Sequence, residues 1–192
     1  MVVFLVGCSV DERSEIRPVE LTNEQQELVD LLSLGHQEIL LFDFETVEAY
    51  KDIELWLEIY EYGTLVERCL VMGISEPMTM LFNGQLAVTI NRNWNYEQEL
   101  NYNWEFMLKG DGFGASSITQ TTAGSDVLGR AFGSIRKPVE IQDGKEIILY
   151  ISRYSRGGMR VFDDQNLQIY IEQLELIKEY PYVYIIKARF SM

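Results

Sequence analysis

Residues 53–75 read IELWLEIYEYGTLVERCLVMGIS, and this stretch decides the fold class. Successive side chains of a β-strand point to opposite faces, so a half-buried strand alternates with a period of two. Ile53, Leu55, Leu57 and Ile59 fall on one face, and Glu54, Trp56, Glu58, Tyr60 and Tyr62 on the other. Gly63-Thr64 then reads as a tight turn, Leu65 to Ser75 as the returning strand, and Pro77 as its end.

Outward from this hairpin the strand signals continue. Glu38 to Glu45 is a β-rich run, and Thr22-Asn23-Glu24-Gln25 ahead of it has the form of a capping box. Leu28, Val29 and Leu32 follow at helical spacing, which predicts a helix over residues 23–34 stopped by Gly35. On the other side, Asn83-Gly84 is a strong hairpin dipeptide and predicts a turn between strands at 78–82 and 86–91. Tyr102 to Leu108 is a further strand. Residues 110–134 are rich in Gly, Ser and Thr and read as a surface loop. Asp143-Gly144 predicts a hairpin joining 139–141 to 147–154; residues 167–178 carry both alternating and helical spacing, and Val183 to Phe190 is the last strand.

Seven or eight short strands with turn punctuation predict a mainly β protein, a β-sandwich or partly open antiparallel barrel, with one or two short helices near the termini. A chain of 192 residues is about one domain and can bury a core without disulfide or metal staples. The net charge of −14 argues against nucleic acid as a partner, because phosphate affinity rests on Lys and Arg. Fifteen of the thirty acids fall in residues 1–62, against Arg13, Arg17 and Lys51 alone.

The chain opens Met-Val-Val-Phe-Leu-Val-Gly-Cys-Ser, and Leu5-Val6-Gly7-Cys8 resembles the bacterial lipobox. The resemblance implies that the Cys8 thiol carries a diacylglycerol, that the peptide is cut just before it, and that acyl chains hold the protein at the membrane. It places the protein at the extracytoplasmic face of the cell membrane. The stretch before Cys8 has no Lys or Arg and only six apolar residues, so the resemblance also implies a start upstream of Met1. The organisation expected from it is a residual signal peptide and lipobox at 1–8, a polar tether at 9–21 and a single β-rich domain at 22–192. No other segment approaches the ~18 consecutive apolar residues of a membrane-spanning helix.

Chemistry-bearing patterns are few. His36 is the sole histidine and follows a helix-ending Gly, which disfavours a Ser–His–Asp hydrolase and His-rich metal sites. Gly110-Asp-Gly-Phe-Gly-Ala-Ser-Ser117 lacks the Lys and the following helix of a phosphate loop. Asp163-Asp164-Gln165-Asn166 lacks the Gly and terminal Glu of a calcium loop, so neither metal nor cofactor is expected. Cys69 reads as a core residue. Arg136, Lys137, Arg153, Arg156 and Arg160 read as loop-flanking cations, with a basic patch as the alternative.

The most suggestive cluster is Asn91-Arg-Asn-Trp-Asn-Tyr96 with Asn101-Tyr-Asn-Trp104, where Trp94, Tyr96, Tyr102 and Trp104 interleave with asparagines. Flat apolar faces beside amide groups suit sugars. The competing expectation is that Trp94, Tyr102 and Trp104 pack the sheet and the asparagines serve turns. Together these features lead to an expected non-catalytic binding or adaptor module of the cell envelope, with wall glycan or another envelope protein as partner. Its alternatives are an envelope hydrolase using paired carboxylates and a regulatory or structural partner protein.

Overall fold

The computed structural model describes residues 13–33, 37–94, 100–111, 113–123, 129–157 and 166–192. The strands are β1 (Glu15–Pro18), β2 (Gln37–Glu45), β3 (Tyr50–Glu61), β4 (Thr64–Met80), β5 (Asn83–Trp94), β6 (Leu100–Gly110), β7 (Phe113–Ala123), β8 (Gly129–Ser134), β9 (Val139–Glu140), β10 (Glu146–Ser155) and β11 (Tyr182–Ser191). Helix α1 (Asn23–Ser33) precedes β2; α2 (Ile169–Glu172) and a 3-10 turn (Leu174–Ile177) precede β11. Two antiparallel sheets result, in the orders β7-β6-β5-β2-β1-β9 and β4-β3-β11-β10-β8. The expected mainly β sandwich is the observed fold.

The two sheets meet through their alternating apolar faces. Phe42, Phe44, Leu86, Val88, Tyr102 and Trp104 of the first sheet are buried, as are Ile53, Leu55, Leu57, Tyr154, Tyr184 and Phe190 of the second. Rings cross the interface: Phe44 to Phe190 at 5.8 Å between centroids, Tyr102 to Tyr154 at 5.5 Å, and Trp104 to Tyr184 at 5.5 Å. Such pairs add to the area they bury, because ring edges and faces carry opposite partial charge.

The second sheet is buried on both faces. On the far side of β3, Trp56, Glu58 and Tyr60 are buried as fully as the inner Leu57. The chain between β10 and β11 accounts for this. Gln168 bonds both the amide and the carbonyl of Ile148, the Tyr62 amide donates to the Tyr180 carbonyl, and Ile177 is buried. Residues 166–180 thus lie over the outer face, and the helical spacing of the C-terminal stretch prevails over its alternation.

Several expectations are corrected. The β3–β4 turn is centred on Tyr62 and Gly63, with φ of 47° and 77°, one residue before the predicted Gly63-Thr64; two positive-φ residues give a two-residue hairpin loop whose twist matches its strands. β4 runs on past Pro77 to Met80, which an edge strand tolerates because the missing N–H faces no partner. Asn83-Gly84 is no hairpin turn: it starts β5, which lies in the other sheet from β4. Gly84 is required there by close approach, since a Cβ would meet the Lys109 carbonyl oxygen, Gly110 Cα at 2.8 Å and Phe44 Cζ at 2.9 Å. Asp143-Gly144 does turn, with Gly144 at φ 66°, but it carries the chain from β9 in one sheet to β10 in the other.

The expected surface loop at 110–134 contains β7 and β8. Its inward side chains at 115, 117, 119 and 121 are small because they oppose the bulky β6 row, so the segment lacks the apolar alternation that marks a strand. Part of the segment expected as a polar tether, 9–21, forms β1, whose Ile16 is 1% exposed opposite Phe44. At the helix, the Thr22 amide donates to Gln25 Oε1 at 2.9 Å and the Gln25 amide to Thr22 Oγ1 at 3.3 Å, the capping box expected. Leu28 and Leu31 on that helix are exposed rather than packed.

Candidate functional site

A cleft of about 520 Å³ opens where the margin of β7 comes near β4. The first sheet lines it with Asn93, Asn101, Asn103, Gln120, Thr121 and Thr122; the second contributes Ile59, Glu61, Val66, Glu67 and Tyr182. Strand alternation produces the polar wall. Tyr102 and Trp104 point into the core, so their neighbours Asn101 and Asn103 are carried to the other side of β6. The register stacks Asn93, Asn101 and Thr122 in one row, and Asn103 with Gln120 in the next.

The wall is held from both sides. Thr122 Oγ1 donates to Asn101 Oδ1 at 2.8 Å, and the Tyr184 hydroxyl donates to the Thr122 carbonyl at 3.3 Å. From the core, Trp104 Nε1 donates to Thr121 Oγ1 at 2.9 Å. On the opposite wall the Cys69 thiol donates to Glu67 at 3.0 Å. Burial and the neighbouring Glu67 push this thiol up to about 11, so at neutral pH it is protonated and no nucleophile. Amides and hydroxyls both donate and accept, whereas the two carboxylates only accept. No Lys, Arg or His lines the cleft among the described residues. The lining therefore suits a neutral or cationic ligand rich in hydroxyl groups, and rejects an anion.

The structure separates the predicted aromatic cluster from this surface. Tyr102 and Trp104 are both 0% exposed and stack on Tyr154, Tyr184 and Tyr150, so neither offers a ring face to a ligand. Their burial follows from size: large rings on the inner face of a central strand fill the space between sheets. Trp94 lies on β5 opposite Leu100 in the register. Tyr96 lies outside the described residues, as do Cys8, His36, Arg160 and Asp163-Asp164. The asparagines, read from sequence mainly as turn formers, are the members that line the cleft; the readable signal was Asn-x-Asn on an alternating strand. Arg153 forms no open basic patch, being buried with its guanidinium 4.8 Å from the Tyr180 ring centre and 5.9 Å from that of Tyr170. Among the described residues no group of three or more His, Cys, Asp or Glu is placed to hold a metal ion.

A family model described as the YgaN domain matches residues 15–190, from the first residue of β1 to the penultimate residue of β11. The chain belongs to the YgaN domain family. No curated protein and no solved structure is similar enough to match it. Two polar clusters of this YgaN domain are structural in character. Between the sheets, Arg130 of β8 pairs with Glu38 of β2 and bonds the Tyr150 hydroxyl and Ser152 Oγ, clamping one sheet to the other. On the covered outer face, Glu58 is fully buried and accepts from Lys187 Nζ at 2.8 Å, Arg68 Nη2 at 2.5 Å, Trp56 Nε1 at 3.1 Å and the Tyr60 hydroxyl at 2.8 Å. Both clusters satisfy their charges internally. No helix among the described residues is long and apolar enough to cross a membrane.

Proposed function

We propose that this YgaN domain is a non-catalytic binding module of the cell envelope, tethered through Cys8, which takes a wall glycan in the cleft between β7 and β4. The observation that carries the reading is the lining: five amide and hydroxyl side chains from one sheet, Asn93, Asn101, Asn103, Gln120 and Thr122, arranged in rows on a rigid surface. Sugars present hydroxyls that both donate and accept, and paired amides answer both roles. A site on strands holds such groups more precisely than one on loops.

The tether fits this role. Six residues separate Cys8 from Glu15, and at ~3.4 Å each they reach about 20 Å at most. A lipidated Cys8 would hold the domain against the envelope at high effective concentration of fixed polymer. Glu61 and Glu67 in the same cleft support a second reading, hydrolysis by paired carboxylates.

Calorimetric titration with a β-1,4-linked trimer of N-acetylglucosamine tests the proposal. Saturable binding is expected, weakened about tenfold or more by Asn103→Ala with Gln120→Ala, since two polar contacts at ~1 kcal/mol each are lost. Absence of binding to that oligomer and to soluble wall fragments sinks the reading, while shortened oligomer after incubation favours the hydrolase. For the anchor, cells fed an alkyne analogue of palmitate should label the protein and not its Cys8→Ser variant.

A further inference from the structure

We propose that Glu61 and Glu67 make the cleft selective for glycan whose amines are free and protonated, glucosamine units in preference to N-acetylglucosamine. This rests on the glycan-binding reading above and specifies its substrate. The inference starts from how the acids of the sheets are partnered. Glu38 pairs with Arg130, Glu54 with Arg189, and Glu58 and Glu146 with Lys187. Like Asp43, Asp52, Glu105 and Glu140, Glu61 and Glu67 have no described cation paired with them, but these two share one cleft, and the polar contact of Glu67 is the weakly donating Cys69 thiol.

Two described cations at this hairpin are committed elsewhere. Arg68 turns to Glu58 on the opposite face of the sheet at 2.5 Å, and Lys178, packed against Gly63, bonds Glu175 at 2.5 Å. The turn geometry brings the two carboxylates to one side of the cleft. Glu61 precedes the Tyr62-Gly63 loop, and Glu67 lies four residues beyond it on the returning strand. Asn101, Asn103 and Gln120, which carry no charge, line the same cleft. A ligand seated there meets uncharged amides and two carboxylates with no described cationic partner.

An N-acetyl group offers these carboxylates a single amide N–H. An ammonium offers three donors and a full positive charge, and charge-assisted hydrogen bonds are roughly twice as strong as neutral ones. Both carboxylates are exposed, so water and salt screen them, and each pair is worth at most a few-fold in affinity. Two acting on one oligomer give a preference of about tenfold at low salt.

The test is calorimetric titration at pH 6 with the glucosamine trimer and, separately, the N-acetylglucosamine trimer. Three proteins are compared: the unsubstituted chain, the double variant Glu61→Gln/Glu67→Gln, and the double variant Glu24→Gln/Glu27→Gln on α1 as a charge-matched control, each at 20 mM and 500 mM salt. The expected result is a tenfold preference for the free amine at low salt that shrinks at high salt. It should vanish in the cleft variant and persist in the α1 control. If the N-acetylated trimer binds but the free amine gains nothing, or the preference survives Glu61→Gln/Glu67→Gln, the selectivity proposal is overturned and the glycan reading stands. If neither trimer binds, the glycan reading itself falls.

Discussion

At the scale of single residues, Glu58 shows how a strand can carry charge on a buried face. Burial raises a carboxyl's proton affinity, yet the bonds from Lys187 and Tyr60 and the charge of Arg68 outweigh that and hold Glu58 below the usual carboxylate range. Its folded state is therefore the more acidic one. The stabilisation is complete above the ordinary carboxylate value of about 4.3 and is lost as pH falls through the lower, folded value. Glu58→Gln leaves Lys187 buried beside one remaining acid, and removing one partner of such a pair costs about 3 kcal/mol. Urea unfolding at pH 7 should show that loss, and the variant's stability should fall less steeply than the parent's between pH 5 and pH 3. Equal slopes would show that Glu58 does not govern acid unfolding. From sequence the alternation Ile53 to Tyr62 was plain, but which face met solvent was not. The burial of Glu58 was not legible because its partners lie on β4 and β11, ten and more than a hundred residues away.

Among elements, β5 and β6 pair across their whole length, and their closest approach is at Gly84. Backbone atoms cannot swing aside as a side chain can, so Gly84→Ala must part the strands at that end. A cost on the order of 3 kcal/mol is expected, against about 1 kcal/mol for Gly144→Ala, whose Cβ would meet nothing within 4 Å and bears only the left-handed backbone penalty. Thermal unfolding of the two variants side by side decides the point; a smaller loss for Gly84→Ala would mean that β5 and β6 are not held as close as described. The same glycine explains a misreading. Asn83-Gly84 has the composition of a hairpin turn, but Asn83 serves here by accepting the Thr46 amide at 3.1 Å, and Gly84 by having no side chain. Composition cannot separate a glycine chosen for positive φ from one chosen for lack of bulk. β7 was missed for a related reason: a strand facing a row of large rings needs small residues, and small residues read as loop.

Across the whole molecule, six tyrosines knit the layers: Tyr102 from the first sheet, Tyr60, Tyr150, Tyr154 and Tyr184 from the second, and Tyr50 at the start of β3. Burial leads the causes that raise the proton affinity of each, so the folded state keeps them neutral. The sign is opposite to that of Glu58. Their stabilisation is complete below the ordinary tyrosine value of about 10 and is lost as pH rises toward the folded values. Absorbance at 295 nm should therefore show the buried set ionising only in a cooperative step that coincides with loss of β-sheet circular dichroism. A smooth titration of all eleven tyrosines near pH 10 would contradict the packing.

The sequence by itself determined the strands with clean alternation, the capped helix and the antiparallel class. These follow from local steric preference and from the period of burial, which adjacent residues carry. Only the tertiary structure decided which strands share a sheet, which face of β3 is covered, and that the asparagines rather than the aromatics of residues 91–104 line the cleft. Those outcomes depend on contacts between residues far apart in the chain, where a side chain's surroundings are set by what packs against it.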